Sequence, residues 1–136
     1  MVGVQLKGIS KNFGAIRVLS DVTVDVQPGE LFFLLGPSGC GKTTCLRIIA
    51  GFYHPDEAEV FFGDRPMTGV PPHRRNTGMV FQQYALWPHL TVAQNVGYGL
   101  DVRRLPEAEK RRRIAETLES VHMIEHADKY PNQLSG

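Results

Sequence analysis

An α/β fold is predicted by three features that adjoin one another. They are an unbroken apolar run, Leu31-Phe32-Phe33-Leu34-Leu35, a glycine-rich turn, Gly36-Pro37-Ser38-Gly39-Cys40-Gly41-Lys42-Thr43, and a helix-forming stretch, Thr44-Cys45-Leu46-Arg47-Ile48-Ile49-Ala50. A short apolar run bounded by turn residues reads as a buried strand. Strand, glycine-rich turn and helix start, in that order, gather backbone N–H groups around an anion, and the helix dipole adds partial positive charge at the same spot. The expected ligand is a triphosphate with Mg²⁺. Gly36, Gly39 and Gly41 serve tight turning and close approach of the anion to bare backbone. Pro37, Ser38 and Cys40 complete the cradle. Lys42 is placed to reach the β- and γ-phosphates, Thr43 to offer its hydroxyl to Mg²⁺, and Thr44 to touch the α-phosphate.

The remaining elements follow from the period of the apolar residues. Val2, Val4 and Leu6 alternate, as do Val18, Val22, Val24 and Val26, which predicts half-buried antiparallel strands with a turn at Lys11-Asn12-Phe13-Gly14. Gln27-Pro28-Gly29-Glu30 is a second turn. The loop helix is expected to end near Ala50, with Gly51 as a left-handed cap. Val60-Phe61-Phe62 before Gly63-Asp64 reads as a strand and turn, and Gly78-Met79-Val80-Phe81 as a buried strand ending at Gln82. Beyond it the pattern turns helical. Thr91-Val92-Ala93-Gln94 fits a capping box. A further helix is expected to start at Pro106, with Glu107 and Glu109 in its first turn and Ile114, Leu118 and Val121 on its buried face. The basic run Lys110-Arg111-Arg112-Arg113 lies beside those acids and reads as solvated helix surface.

Composition narrows the functional classes. At 136 residues and 42% hydrophobic content the chain has the length and core of one domain. A net charge of +1 supplies no electrostatic basis for direct nucleic-acid binding. The apolar runs are too short to span a bilayer and the N-terminus lacks a signal-peptide layout, so a cytoplasmic protein is expected. Cys40 and Cys45 lack metal or redox spacing, and Cys40 reads as a small loop residue whose position at a helix N-terminus would also suit an oxidisable thiol.

Phosphate-binding loops occur in many enzyme classes, and further residues choose among them. The stretch from Gly78 through Gln82, Tyr84, Leu86, Trp87 and His89 to Val92, together with Leu134-Ser135-Gly136, resembles the ATP-binding subunits of ABC transporters over essentially the whole chain. The resemblance implies an incomplete P-loop NTPase fold of the ABC ATPase type: residues 1–88 would be part of the ATP-binding core and 89–136 part of a helical subdomain. It implies that Phe13 stacks on adenine with Val18 beside it, and that Gln82 senses the γ-phosphate and Mg²⁺. An amide suits that task because it donates and accepts. The segment from Tyr84 to His89 resembles the surface on which transmembrane permease subunits dock, which would hold the protein on the inner face of the membrane. Ser135 and Gly136 begin the signature sequence that caps the triphosphate of a second ATP-binding subunit in a head-to-tail dimer. The run from Pro71 to Gly78 resembles importer subunits serving iron, polyamines or sugars.

The family's downstream aspartate, catalytic glutamate and switch histidine do not occur in residues 1–136, so these residues alone are expected not to turn over ATP, although the parent subunit is an ATPase. Alanine at Ala58 departs from the family's turn glycine. Three other readings compete. His122-Met123-Ile124-Glu125-His126 formally matches an inverted zinc-peptidase motif. An ABC-like ATPase of DNA repair or chromosome organisation is disfavoured, because no long coiled coil fits between Gln82 and Leu134. A non-hydrolytic nucleotide-binding module is the third.

Overall fold

In the computed structural model, which describes residues 2–134, alternating residues from 4 to 26 fold into a hairpin. Strand β1 (Val4–Phe13) pairs antiparallel with β2 (Ile16–Val26), and β3 (Glu57–Phe62) and β4 (Arg65–Pro66) extend the sheet in the order β2-β1-β3-β4. The turn falls at Gly14-Ala15, so Phe13 is the last residue of β1, paired with Ile16, and not part of the expected turn. Helix α1 (Lys42–Ala50) lays Cys45 and Ile48 on the sheet, where Leu6, Ile9, Leu19, Val60 and Met67 complete the buried core. Burial also raises the pKa of the Cys45 thiol. Leu6 and Ile9 both point inward although three positions separate them, which strict alternation forbids. A β-bulge resolves the conflict. The register shifts between Leu6 and Ile9, with Gly8 at φ 66° and, opposite it on β3, Ala58 at φ 72°. The alanine at 58 thus adopts the left-handed backbone that a glycine would take without strain.

The apolar run at 31–35 is not a strand, which corrects the expected phosphate-loop strand. Leu31, Phe33 and Leu35 are 78%, 68% and 88% exposed, and of the five residues only Leu34 packs against the core. A strand of this kind is held by ladders on both edges and cover on both faces, and none of β1–β4 pairs with it among the described residues. An apolar recess of about 440 Å³ remains between Val4, Leu6, Val24, Phe33, Cys45 and Ile49. The run at 78–81 is likewise not a strand, which corrects the strand expected to end at Gln82.

The C-terminus of α1 is closed twice. Gly51 caps it at φ 86°, its N–H donating to Ile48, while Phe52 N–H donates to Arg47. The buried Arg75 then adds charged donors to the same helix end. Its Nη1 donates to the carbonyls of Ile48 (2.9 Å) and Ile49 (2.8 Å), and its Nε to that of Val70 (2.7 Å). Burial lowers the guanidinium pKa, and placing a cation at a helix C-terminus opposes that cost. A second tie joins β1 to the start of β3. The Asp56 carboxylate accepts from Lys11 Nζ (2.6 Å) and from the backbone N–H of Asn12 (2.6 Å). The Lys11 hydrogen bond, followed by that from Asn12, holds its pKa below the usual carboxylate value.

Residues up to Met79 form one compact unit and those from Val80 a second. In the second, α2 (Val92–Val102) packs on α3 (Glu107–Ser120) at Gly97, where a Cβ would stand 2.7 Å from Ile114 Cδ1. The capping box at Thr91 and Gln94 forms as expected. Pro106 is the N-cap of α3 and not its first helical residue, and Val121 lies beyond the helix end and is 59% exposed instead of buried. The basic run pairs with Glu107, Glu109, Glu116 and Asp101, which makes it solvated helix surface.

Two stability measurements follow from these ties. Arg75→Met leaves helix-end carbonyls without their charged donor and is expected to lower stability by roughly 2–3 kcal/mol in denaturant titrations. Because the folded pKa of Asp56 is depressed, its contribution is present above the unfolded value of about 4 and lost as pH falls through the folded one. Asp56→Asn is therefore expected to lower the melting temperature at neutral pH and to flatten its decline below about pH 4.

Candidate nucleotide-binding site

Glycines at positive φ shape the turn from residue 36 to residue 41: Gly36 at 155°, Gly39 at 81° and Gly41 at 92°. Two of them are also constrained by packing. A Cβ at Gly36 would stand 2.7 Å from Cys40 Sγ, and one at Gly41 would stand 2.7 Å from Leu19 Cδ2 and 3.0 Å from the Val18 carbonyl oxygen. At Gly39 nothing lies within 4 Å of the Cβ position, so the backbone there is open to a ligand. Gly41 is the N-cap of α1, whose first turn carries neither a side-chain cap nor an acidic residue. Free N–H groups and the dipole of α1 thus face the turn, an arrangement that fits an anion.

Lys42 opens α1 and curls back over the turn. Its Nζ donates to the carbonyls of Gly36 (2.8 Å) and Pro37 (2.7 Å) and lies 3.4 Å from Cys40 Sγ. The ammonium therefore lies inside the cradle, where it can exchange carbonyl partners for phosphate oxygens over a short distance. Thr43 is exposed and Thr44 half-buried, on the first turn of the same helix. Cys40 is a free, exposed thiol and Cys45 a free, buried one.

The structure brings Val18 to this turn, through the approach of its carbonyl to Gly41, and sets Phe13 at the end of β1 with 42% of its surface exposed. Gln82 is exposed and belongs to the second unit. Ser135 and Gly136 lie outside the described residues. The aromatic segment after Gln82 is built with strain: Tyr84 and Ala85 take φ of 60° and 54° in succession. Trp87 packs its ring 5.5 Å from that of Tyr98 and stays 47% exposed. Asn95 holds this turn from α2, its Oδ1 accepting from Trp87 N–H and its Nδ2 donating to the carbonyls of Trp87, Leu90 and Thr91. Sequence reasoning passed over Asn95 because one asparagine on a helix carries no periodic signal. The His122 to His126 motif does not sit on an α-helix: His122 is in a turn at φ 56° and Ile124–His126 is a short 3₁₀ segment. Among the described residues no cluster of three or more His, Cys, Asp or Glu is disposed to hold a metal.

The family model described as ABC transporter matches residues 19–136. A sulfate/thiosulfate import ATP-binding protein of Agrobacterium fabrum is 49% identical over 98% of this chain and 40% of its own length. Spermidine/putrescine import ATP-binding proteins are 45% identical in Thermotoga maritima, over 100% of this chain and 38% of the relative, and 48% identical in Acidothermus cellulolyticus, over 98% and 36%. The chain thus spans well under half the length of the curated relatives it matches. A glycine cradle at the head of α1, a lysine folded into it and a matching family model over most of the chain lead to one conclusion: the chain belongs to the ABC transporter family, with the P-loop NTPase fold of its ATP-binding domain.

Proposed function

We propose that the chain binds Mg²⁺ATP as part of the ATP-driven subunit of an importer. The observation that carries this reading is the placement of Lys42 Nζ within the turn whose glycines present backbone toward an anion. Backbone N–H groups from Gly39 to Thr44 grip the phosphates, Lys42 neutralises charge on the β- and γ-phosphates, and Thr43 offers its hydroxyl oxygen to the metal. When bound, Mg²⁺ supplies charge neutralisation across the phosphate oxygens. Phe13 offers a ring face to the adenine, and Gln82 reports the state of the γ-phosphate to the segment that follows it. Residues 1–136 by themselves bind nucleotide without turnover, and hydrolysis belongs to the whole subunit paired with a second copy, whose triphosphate the Ser135-Gly136 end would cap.

Tyr84, Leu86 and Trp87 form an exposed aromatic and apolar cluster of the kind that anchors an interface. Transmembrane permease subunits are its proposed partners, and they would hold the subunit at the inner face of the membrane. The described residues contain no helix long and apolar enough to cross a bilayer. Similar relatives are named for import of sulfate, an anion, and of spermidine and putrescine, which are polycations. Comparable identity to both fits a subunit that supplies energy and leaves solute choice to the membrane partners. A DNA-repair role is disfavoured by the family description and by the lack of room for a coiled coil before Leu134.

Calorimetry of Mg²⁺ATP binding to the wild type and to Lys42→Ala tests the reading. Loss of a charged donor to phosphate is expected to weaken affinity about 10- to 100-fold, and equal affinities would overturn the assignment.

A further inference from the structure

We propose that Tyr53 is a positioning residue for the base-stacking face of Phe13, and that Arg47 ties this support to the helix that carries Lys42. The inference rests on the reading of Phe13 as the adenine-stacking aromatic and adds to it the machinery that orients the ring.

A phenylalanine at a strand end, 42% exposed, has little to fix its plane unless neighbours supply it. Here two do. The Tyr53 and Phe13 rings meet in a T-shaped pair, with centroids 5.3 Å apart and planes at 70°, a preferred geometry for two aromatics. Lys11 Nζ lies over the ring 5.6 Å from its centroid and is itself held by Asp56 at 2.6 Å. The cation over the ring and the T-shaped aromatic contact together fix the plane in which Phe13 lies.

Tyr53 is in turn held by α1. Its hydroxyl accepts from Arg47 Nη1 at 2.9 Å, the Arg47 guanidinium lies 5.5 Å from its ring centroid, and its backbone N–H donates to the Arg47 carbonyl at 3.3 Å. Arg47 occupies the last turn of α1, and Lys42 is the first residue of the same helix. One helix of nine residues therefore carries the phosphate-binding ammonium at its head and, through Arg47 and Tyr53, braces the aromatic at its tail. The distance between base platform and phosphate cradle is then set by a rigid element, which favours ligands carrying a base and a phosphate chain of fixed separation.

The test compares Mg²⁺ATP with magnesium tripolyphosphate, which keeps the phosphates and lacks the base, by calorimetry on the wild-type chain and on Tyr53→Leu, Tyr53→Phe, Phe13→Ala and the Phe13→Ala/Tyr53→Leu pair. Tyr53→Leu is expected to weaken Mg²⁺ATP about 2- to 10-fold, the range of an aromatic pair, and to leave tripolyphosphate affinity unchanged. Tyr53→Phe keeps the ring edge but drops the Arg47 hydrogen bond and should fall between the two. The double variant should bind Mg²⁺ATP no more weakly than Phe13→Ala alone, because Tyr53 acts only through that ring. Unchanged ATP affinity in Tyr53→Leu, equal loss of both ligands, or full additivity in the double variant would overturn the inference while leaving the base-stacking role of Phe13 intact. Unchanged ATP affinity in Phe13→Ala would remove that role, and this inference with it.

Discussion

Everything the first unit presents to a nucleotide depends on where α1 lies, and a buried guanidinium decides that. A nine-residue helix is too short to persist on its own propensity. It is held by Cys45 and Ile48 on the sheet and by Arg75, which shares the Ile48 carbonyl with the Gly51 N–H and adds a donor to that of Ile49. The same guanidinium fills the space over Gly51, where a Cβ would stand 2.4 Å from its Nε. The glycine cap and the arginine are therefore complementary: one has no side chain because the other lies there. Helix position then propagates outward to the ammonium of Lys42 at one end and to Tyr53 at the other.

What the sequence made legible is what short-range chemistry determines. The glycine turn, the helix after it, the Gly51 cap, the hairpin between Val4 and Val26 and the capping box at Thr91 all follow from residues within a few positions of one another. Elements that depend on partners far along the chain were not legible. Leu31-Phe32-Phe33-Leu34-Leu35 has the composition of a buried strand, but a strand exists through its ladder, and no neighbour among the described residues supplies one. No local pattern marks Arg75, and only the fold shows that it reaches back 27 positions to Ile48. The turn expected at Lys11-Asn12-Phe13-Gly14 lies further on at Gly14-Ala15, because the β1–β2 ladder continues through register shifts between Leu6 and Asn12 to the Phe13–Ile16 pair, which depends on residues of the facing strand.

The two units use their polar residues in different ways. In the first, charged groups are spent on internal geometry: Arg75 on carbonyls, Asp56 on Lys11 and Asn12, Arg47 on Tyr53. In the second, the charges of α3 form a lattice of i,i+3 and i,i+4 pairs on its own surface, each worth little singly, and the specific work falls to one amide. Asn95 makes four hydrogen bonds to the turn before α2, and so ties Trp87, which also packs on Tyr98, to that helix. Sites carried on helices keep their geometry better than sites carried on loops, and here a loop borrows that precision from α2.

Gly41 shows how narrowly the cradle is confined. Its Cβ position is closed by the Leu19 methyl and the Val18 carbonyl, and the residue is buried at the head of α1. Any side chain there must lift α1 off the hairpin before it meets a phosphate. The demand for glycine at Gly41 thus comes from the hairpin beside it, independently of any ligand.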